Sequence, residues 1–254
     1  MGLKRALPAA WYRKAPWLAL LQPFAWLYGM LATQRRRRLT RSAYRASVPV
    51  LVCGNISVGG TGKTPLTIAL ARELQRRGWR VVILSRGYGG ASAMYPLAVQ
   101  PNTPVAHCGD EALVLAQHGG CPVLIDPQRS RAARYAQTHY PCDVLLCDDG
   151  LQHYALARDI EIAVVDGARG FGNMRLLPAG PLRETLARLA DVDYVVVNGD
   201  ATATLPAFTV PTFSLHLRIS HLGALSGGQV LDLAEWQARF GSGPVHAVAG
   251  IGNP

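Results

Sequence analysis

The first 46 residues contain no acidic side chain, against ten basic ones. The remainder holds 16 basic and 16 acidic residues. The net charge of +10 is therefore a local N-terminal property and not a field over the whole molecule. Cysteine is scarce and badly spaced for chemistry. The five cysteines (Cys53, Cys108, Cys121, Cys142, Cys147) are odd in number and contain no Cys-x-x-Cys pair, which argues against a disulfide framework or a zinc site. Most lie in or beside apolar runs and read as small core residues, consistent with a reducing cytoplasm. Internal repeats are absent, and the only biased tract is a short arginine run. Charged residues make up just 17% of the 254, and 49% are apolar, enough for one large core or two small ones.

What the chain does have is a glycine-rich loop at a strand-to-helix junction. Residues Ser57, Val58, Gly59, Gly60, Thr61, Gly62, Lys63 and Thr64 follow an apolar run over 48–52 and precede a helical pattern from Leu66. That layout is a phosphate-binding loop. Its glycines let successive backbone N–H groups turn toward one anion, and the helix N-terminus adds its positive dipole end. Lys63 is placed to reach the outer phosphates, and the Thr64 hydroxyl to ligate Mg²⁺. The strict pattern wants glycine where Ser57 stands, but Gly59 and Gly60 still supply flexibility. The expected ligand is a nucleoside triphosphate.

Residues 15–32 are 18 consecutive uncharged residues, with Trp17, Trp26 and Tyr28 among them and basic residues on both sides. The length is borderline for a membrane span, and Pro23 is expected to bend its middle. Aromatic residues flanked by Arg and Lys favour the membrane interface, and Arg35, Arg36, Arg37 and Arg38 would attract anionic lipid head groups. A cleaved signal peptide does not fit, because the arginines follow the apolar core directly. A buried helix and a nucleic-acid contact for the arginines compete. We prefer a shallow, kinked anchor and expect no nucleic-acid partner. The domain division is thus 1–46, a membrane-associated helix and polar connector (39–46), and 47–254, the core.

Strands are predicted over 48–53, 80–85, 122–125, 143–147, 160–165, 194–197 and 245–249. Helices are predicted over 62–77, 110–118 and 128–139, with an irregular, mobile loop at 87–90. Alternating strand and helix units give an α/β fold with a doubly wound, mostly parallel sheet. In such sheets the chemistry gathers at the carboxyl ends of strands. Asp148 and Asp149 directly follow an apolar strand, where one of them would hold Mg²⁺. A lone buried charge is too costly to serve packing alone. Gln152 and His153 follow as candidate substrate contacts, Arg86 as a candidate phosphate contact, and Asp126 and Asp166 as weaker acids at strand ends. Asp110 and Glu111 begin a helix, where a carboxylate is ordinarily a cap.

Together these residues resemble the tetraacyldisaccharide 4′-kinase (lipid A 4′-kinase) family, of the P-loop nucleoside triphosphate hydrolase type. The matching blocks are residues 54–65; Ser85-Arg86-Gly87-Tyr88-Gly89; Gly109-Asp110-Glu111; Asp148-Asp149-Gly150-Leu151-Gln152-His153, with Leu151 for the usual Phe; 177–184, which ends in Glu184, a further candidate substrate contact; and 249–254. The resemblance implies ATP and Mg²⁺ as cofactors, and transfer of the γ-phosphate to the 4′-hydroxyl of an acylated glucosamine disaccharide 1-phosphate. It implies Asp110 as catalytic base, beside Lys63 as phosphate ligand. It also implies work at the cytoplasmic face of the inner membrane, beside anionic lipids. A monomer is expected. Members of the family continue beyond the Asn-Pro at which this sequence stops, and that missing part carries an Asp-His pair, so a catalytically impaired, truncated remnant is one alternative. The other is a membrane-bound nucleotide switch like the partition-type ATPases, though these carry Lys where Val58 stands.

Overall fold

Runs of Val, Ile and Leu without polar alternation predict strands covered on both faces, and 81–85 and 144–147 form such strands. The computed structural model of the chain describes residues 3–218, 221–223 and 230–241. The strands are β1 (Val50–Gly54), β2 (Val81–Ser85), β3 (Leu97–Val99), β4 (Val123–Ile125), β5 (Val144–Cys147), β6 (Ile160–Asp166), β7 (Tyr194–Asn198) and β8 (Thr212–Leu215). They make one sheet in the order β3-β4-β2-β5-β1-β6-β7-β8. Every pairing is parallel except the edge pair β3 and β4. A separate antiparallel pair, β9 (His221–Gly223) and β10 (Val230–Asp232), follows.

The helices are α1 (Leu3–Arg13), α2 (Gln22–Arg41), α3 (Lys63–Arg76), α4 (Val105–Cys108), α5 (Asp110–His118), α6 (Arg129–His139) and α7 (Leu233–Phe240), with 3-10 turns at Pro16–Leu21 and Leu186–Ala190. Alternate strand residues face opposite layers, as the pleat requires. In β2, Val82 and Leu84 pack with Ala132, Ala133 and Ala136 of α6. Val81 and Ile83 pack with Leu66 and Ala71 of α3 and with Ala112 and Leu115 of α5. The three alanines leave α6 no bulk on that side and let it sit close to the sheet. Helices thus cover both faces, which is the doubly wound arrangement. Cys53, Cys108 and Cys147 are buried in these two layers as free thiols.

Three expectations need correction. Pro23 does not bend the middle of a helix. The uncharged stretch is divided into the 3-10 turn Pro16–Leu21 and a new helix that starts at Gln22, with proline in its first turn, where no N–H is needed. The segment 39–46 is not all connector, because α2 runs on to Arg41 and carries the whole arginine run. The short strands β3 and β8, three and four residues long, escaped a reading based on long apolar runs. The strand expected over 245–249 and the block 249–254 lie outside the described residues.

None of the described helices is long and apolar enough to cross a membrane. Leu18 and Ala25 are buried against the rest of the chain, whereas Leu20, Phe24, Trp26, Leu27, Met30 and Leu31 are exposed.

Candidate active site

β1 lies between β5 and β6, and pairs in parallel with β5 from Val50↔Leu145 to Val52↔Cys147. The loop after β1 and the acids after β5 therefore emerge side by side at the carboxyl edge of the sheet. They are neighbours although the chain first visits β2, β3 and β4 on the far side of β5.

Gly59 (φ +116°) and Gly62 (φ +86°) adopt left-handed backbone, which glycine enters at no steric cost. At Gly62 a Cβ would also stand 2.5 Å from Asn198 Nδ2. Ser57 keeps a negative φ, which is why serine can fill a position where the strict pattern has glycine. The loop is braced from a distant segment. Val58 N–H donates to Pro181 C=O (2.8 Å), and Arg183 N–H donates to Ile56 C=O (2.7 Å). Arg169 adds a hydrogen bond from its guanidinium to Gly60 C=O. Thr61 Oγ1 and Asn55 Oδ1 are buried without a hydrogen-bond partner, so the loop retains unused polar capacity, as a ligand cradle would.

Lys63 is buried, with Nζ 3.6 Å from Asp149 Oδ1. Asp149 also meets Arg183 Nη1 at 3.3 Å from Oδ2. It is one of three non-glycine residues with positive φ among the described residues, at +47°, a strained conformation that surrounding contacts must hold. Burial works to raise its pKa, but Lys63 and Arg183 outweigh that and hold the carboxyl below the ordinary range. Asp148 is fully buried beneath it. Thr67 Oγ1 donates to Asp148 Oδ1 at 2.9 Å, and Thr64 Oγ1 lies 3.4 Å from Oδ2. Burial raises the Asp148 pKa, the Thr67 hydrogen bond lowers it, and the charge of Asp149 raises it again; the net direction is upward. Two adjacent carboxyls are thus pushed apart.

This donor set fits Mg²⁺. It offers one hydroxyl and two carboxylates, all hard oxygen donors, next to a loop shaped for phosphate. Among the described residues, no cluster of three or more His, Cys, Asp or Glu could cage a metal alone. Magnesium suits such a site, since it keeps waters and shares phosphate oxygens in place of a full protein cage.

The cleft has a volume of about 690 Å³ and takes in Lys63, Arg86, Glu111, Asp149, Gln152, His153, Arg183 and Glu184, together with Tyr28, Leu31, Ala32 and Arg35 from α2. Arg86, Gln152, His153 and Glu184 therefore come together as candidates. Gln152 Nε2 donates to Asn55 C=O (3.0 Å) and to Glu184 Oε1 (2.8 Å). Glu184 also accepts a short hydrogen bond from Tyr154 Oη. His153 is held near a pKa of about 3 by burial, then by the positive charges of Arg129 and Arg86. It is a neutral imidazole at physiological pH and offers hydrogen bonds, not charge.

Asp110 opens α5 after Gly109 (φ +80°), where a Cβ would collide with Tyr88 C=O at 2.1 Å. The two loops pack backbone to backbone, which sets the start of α5 beside Arg86 and Tyr88. Asp110 and Glu111 are both exposed, and Asp110 Oδ1 accepts the Glu111 N–H at 3.0 Å. Glu111 is the carboxylate of this pair that lines the cleft. Partial desolvation there, then the charge of Asp148, pushes its pKa up. Asp126 and Asp166 turn to structural work instead, each holding an arginine three to five residues on (Arg131 and Arg169).

Sequence reasoning passed over Arg183, Tyr28 and Arg35 as site residues, and took Glu111 only together with Asp110. The arginine run also divides by helical direction. Arg35 faces the cleft, and its Nη1 donates to Gln152 C=O. Arg36 pairs with Asp191 (2.9 Å) and lies over the Tyr154 ring. Arg37, Arg38 and Arg41 face away, beside Trp26 and Met30.

A family profile described as tetraacyldisaccharide-1-P 4′-kinase matches residues 17–254. The chain is 48% identical to the tetraacyldisaccharide 4′-kinases of Ectopseudomonas mendocina and Stutzerimonas stutzeri, in each case over 100% of this chain and 75% of the relative. It spans about three quarters of the length of these curated relatives. Among solved structures it is similar to LpxK from Aquifex aeolicus in complex with ATP, with a TM-score of 0.69 and 32% identity, covering 78% of this chain and 64% of that one.

Proposed function

The chain belongs to the tetraacyldisaccharide-1-P 4′-kinase family, whose chemistry is ATP-dependent 4′-phosphorylation in lipid A biosynthesis, and we propose that the cleft between α2 and the carboxyl edge of the sheet is where that transfer takes place. The family match decides against the partition-type switch. One observation carries the assignment of the site: the parallel pairing of β1 with β5 brings buried Lys63 within 3.6 Å of Asp149, in a cleft walled on its other side by α2.

In this reading residues 57–64 wrap the ATP phosphates with backbone N–H groups, and Lys63 leaves Asp149 to bind the outer ones. Thr64, Asp148 and Asp149 would hold Mg²⁺, which would neutralise charge on the β- and γ-phosphates. Arg183 and Arg86 supply further positive charge around the transferring group. Gln152, His153 and Glu184 hydrogen-bond the sugar of the acceptor, an acylated disaccharide 1-phosphate. Asp110 takes the proton of the attacking hydroxyl late in a loose transition state. A second reading gives that proton to Glu111, which is favoured by its place on the cleft wall and its raised pKa. Comparing Asp110→Asn with Glu111→Gln separates the two.

The acceptor's acyl chains require a lipid surface nearby. The exposed apolar residues of the 3-10 turn and α2, with Arg37, Arg38 and Arg41 beside them, support interfacial seating on the cytoplasmic face of the inner membrane, against anionic lipid. In this reading the working unit is a monomer.

The test is transfer of label from γ-labelled ATP to the acylated disaccharide 1-phosphate in detergent micelles. Transfer that requires the acceptor and drops by about 10²- to 10³-fold in Lys63→Met supports the assignment. ATP hydrolysis at full rate without acceptor, or turnover indifferent to Lys63→Met, refutes it.

A further inference from the structure

Two hydrogen bonds tie α2 to the two residues grouped around Asp149. Tyr28 Oη donates to Arg183 C=O at 3.1 Å, and Arg35 Nη1 donates to Gln152 C=O at 3.2 Å. The side chains of those same two residues meet, with Arg183 Nη1 3.3 Å from Gln152 Oε1 and 3.3 Å from Asp149 Oδ2. Tyr28 and Arg35 are two helical turns apart, so they stand on one stripe of α2, and both line the cleft. Asp149 itself has only Lys63 and Arg183 as ion-pair partners among the described residues. When triphosphate draws Lys63 away, Arg183 alone remains to hold a carboxylate whose backbone is strained. The orientation of Arg183 then decides where Asp149 stands.

We propose that Tyr28 and Arg35 are positioning residues that transmit the seating of α2 to Asp149, so that the carboxylate is set to receive Mg²⁺ only while the membrane-facing helix lies in place. The two hydrogen bonds hold the peptide planes of Arg183 and Gln152. Without them the guanidinium loses its aim, and the metal-holding geometry goes with it. The proposal rests on the reading of Asp149 as a metal-holding acid. It makes phosphoryl transfer conditional on the helix that meets the lipid, with no separate regulatory site.

The experiment is calorimetric titration of the full chain, in nonionic detergent, with a non-hydrolysable ATP analogue, once in Mg²⁺ and once in EDTA. The ratio of the two affinities measures metal holding independently of turnover. Four variants are compared: Tyr28→Phe/Arg35→Met, Arg35→Lys, Asp149→Asn, and Asp191→Asn, which removes the half-exposed Arg36 ion pair but leaves Tyr28 and Arg35 to seat α2. The double variant is expected to lose about tenfold of the Mg²⁺-dependent gain, beyond any fall in EDTA affinity from the missing Arg35 charge, which acts on both titrations and cancels in their ratio. Arg35→Lys should keep most of the gain, and Asp191→Asn all of it. If Asp149→Asn loses the gain but the double variant keeps it, the proposal is overturned while the metal reading stands. If Asp149→Asn keeps the gain, the metal reading fails and takes the proposal with it. A fall in EDTA affinity that accounts for the whole fall in Mg²⁺, or an equal loss of gain in Asp191→Asn, shows general loosening and overturns the proposal.

Discussion

Replacing Arg188 by Met tests the buried network that backs the cleft. Arg188 sits on the 3-10 turn Leu186–Ala190 with only 2% of its side chain exposed. Its Nη2 donates to both carboxylate oxygens of Glu161 at 2.5 and 2.6 Å, and its Nε donates to Tyr154 Oη at 3.2 Å. Methionine has similar bulk and no charge, so the perturbation removes a cation without opening a large void. Removing one member of a buried pair costs about 3–5 kcal/mol, because the other charge is left uncompensated. Here Glu161 keeps a second partner, Arg158 Nη1 at 2.8 Å, which places the loss at about 3 kcal/mol, the lower end of that range. Against a typical domain stability of about 5–15 kcal/mol this is a large fraction. Urea unfolding followed by tryptophan fluorescence should show a lower midpoint at unchanged slope. A loss under about 1 kcal/mol would refute the idea that charge compensation stabilises this layer. Because Tyr154 and Glu184 lie between Arg188 and the cleft, the variant should also raise the acceptor KM more than it lowers kcat.

Three further outcomes follow from the geometry. Thr67→Val removes the hydroxyl that stabilises ionised Asp148, so the pKa of that carboxyl rises further. The acid limb of kcat/KM against pH should then move toward neutral, and an unmoved limb would count against Asp148 as a working anion. His153 takes no proton in the folded chain until pH falls to about 3, against 6.5 ordinarily. The unfolded chain therefore binds the extra proton between those values, and stability falls as pH drops from 6.5 toward 3. His153→Gln should flatten that fall by up to about 1.4 kcal/mol per pH unit, read from urea midpoints across the window. Finally, replacing Arg37, Arg38 and Arg41 together by Gln should weaken binding to vesicles of acidic phospholipid by about a hundredfold at low salt, at roughly 1 kcal/mol per residue. The difference should shrink in high salt, and sedimentation that shows equal binding would remove these arginines from the lipid contact.

Much of the fold was legible locally. Residues 81–85 and 144–147 are strands covered on both faces because no polar residue interrupts them, and α3 starts at Lys63 because the glycines before it take up positive φ. The pairing of the phosphate loop with Asp148 and Asp149 could be inferred from the rule that chemistry lies at the carboxyl ends of parallel strands. Pro23 was misjudged because proline disrupts the middle of a helix but suits its first turn, and only the position of the break at Gln22 decides which applies. Asp110 and Glu111 could not be told apart by spacing, since adjacent helical residues point about 100° apart and the direction of the cleft is a tertiary fact.

Local chemistry is legible in neighbouring residues: a loop whose glycines and lysine suit a triphosphate, two acids at a strand end, and a basic segment without a single counter-charge. Long-range packing brings Tyr28 to Arg183 across 155 residues and Arg35 to Gln152 across 117. It also divides the arginine run: Arg35 faces the cleft, Arg36 pairs with half-exposed Asp191, and Arg37, Arg38 and Arg41 face outward. Backbone preference and burial pattern act over a few neighbouring residues and can be read from them. A contact between distant segments exists only because the sheet order returns the chain to β5 beside β1 and the packing of α2 closes the cleft over it.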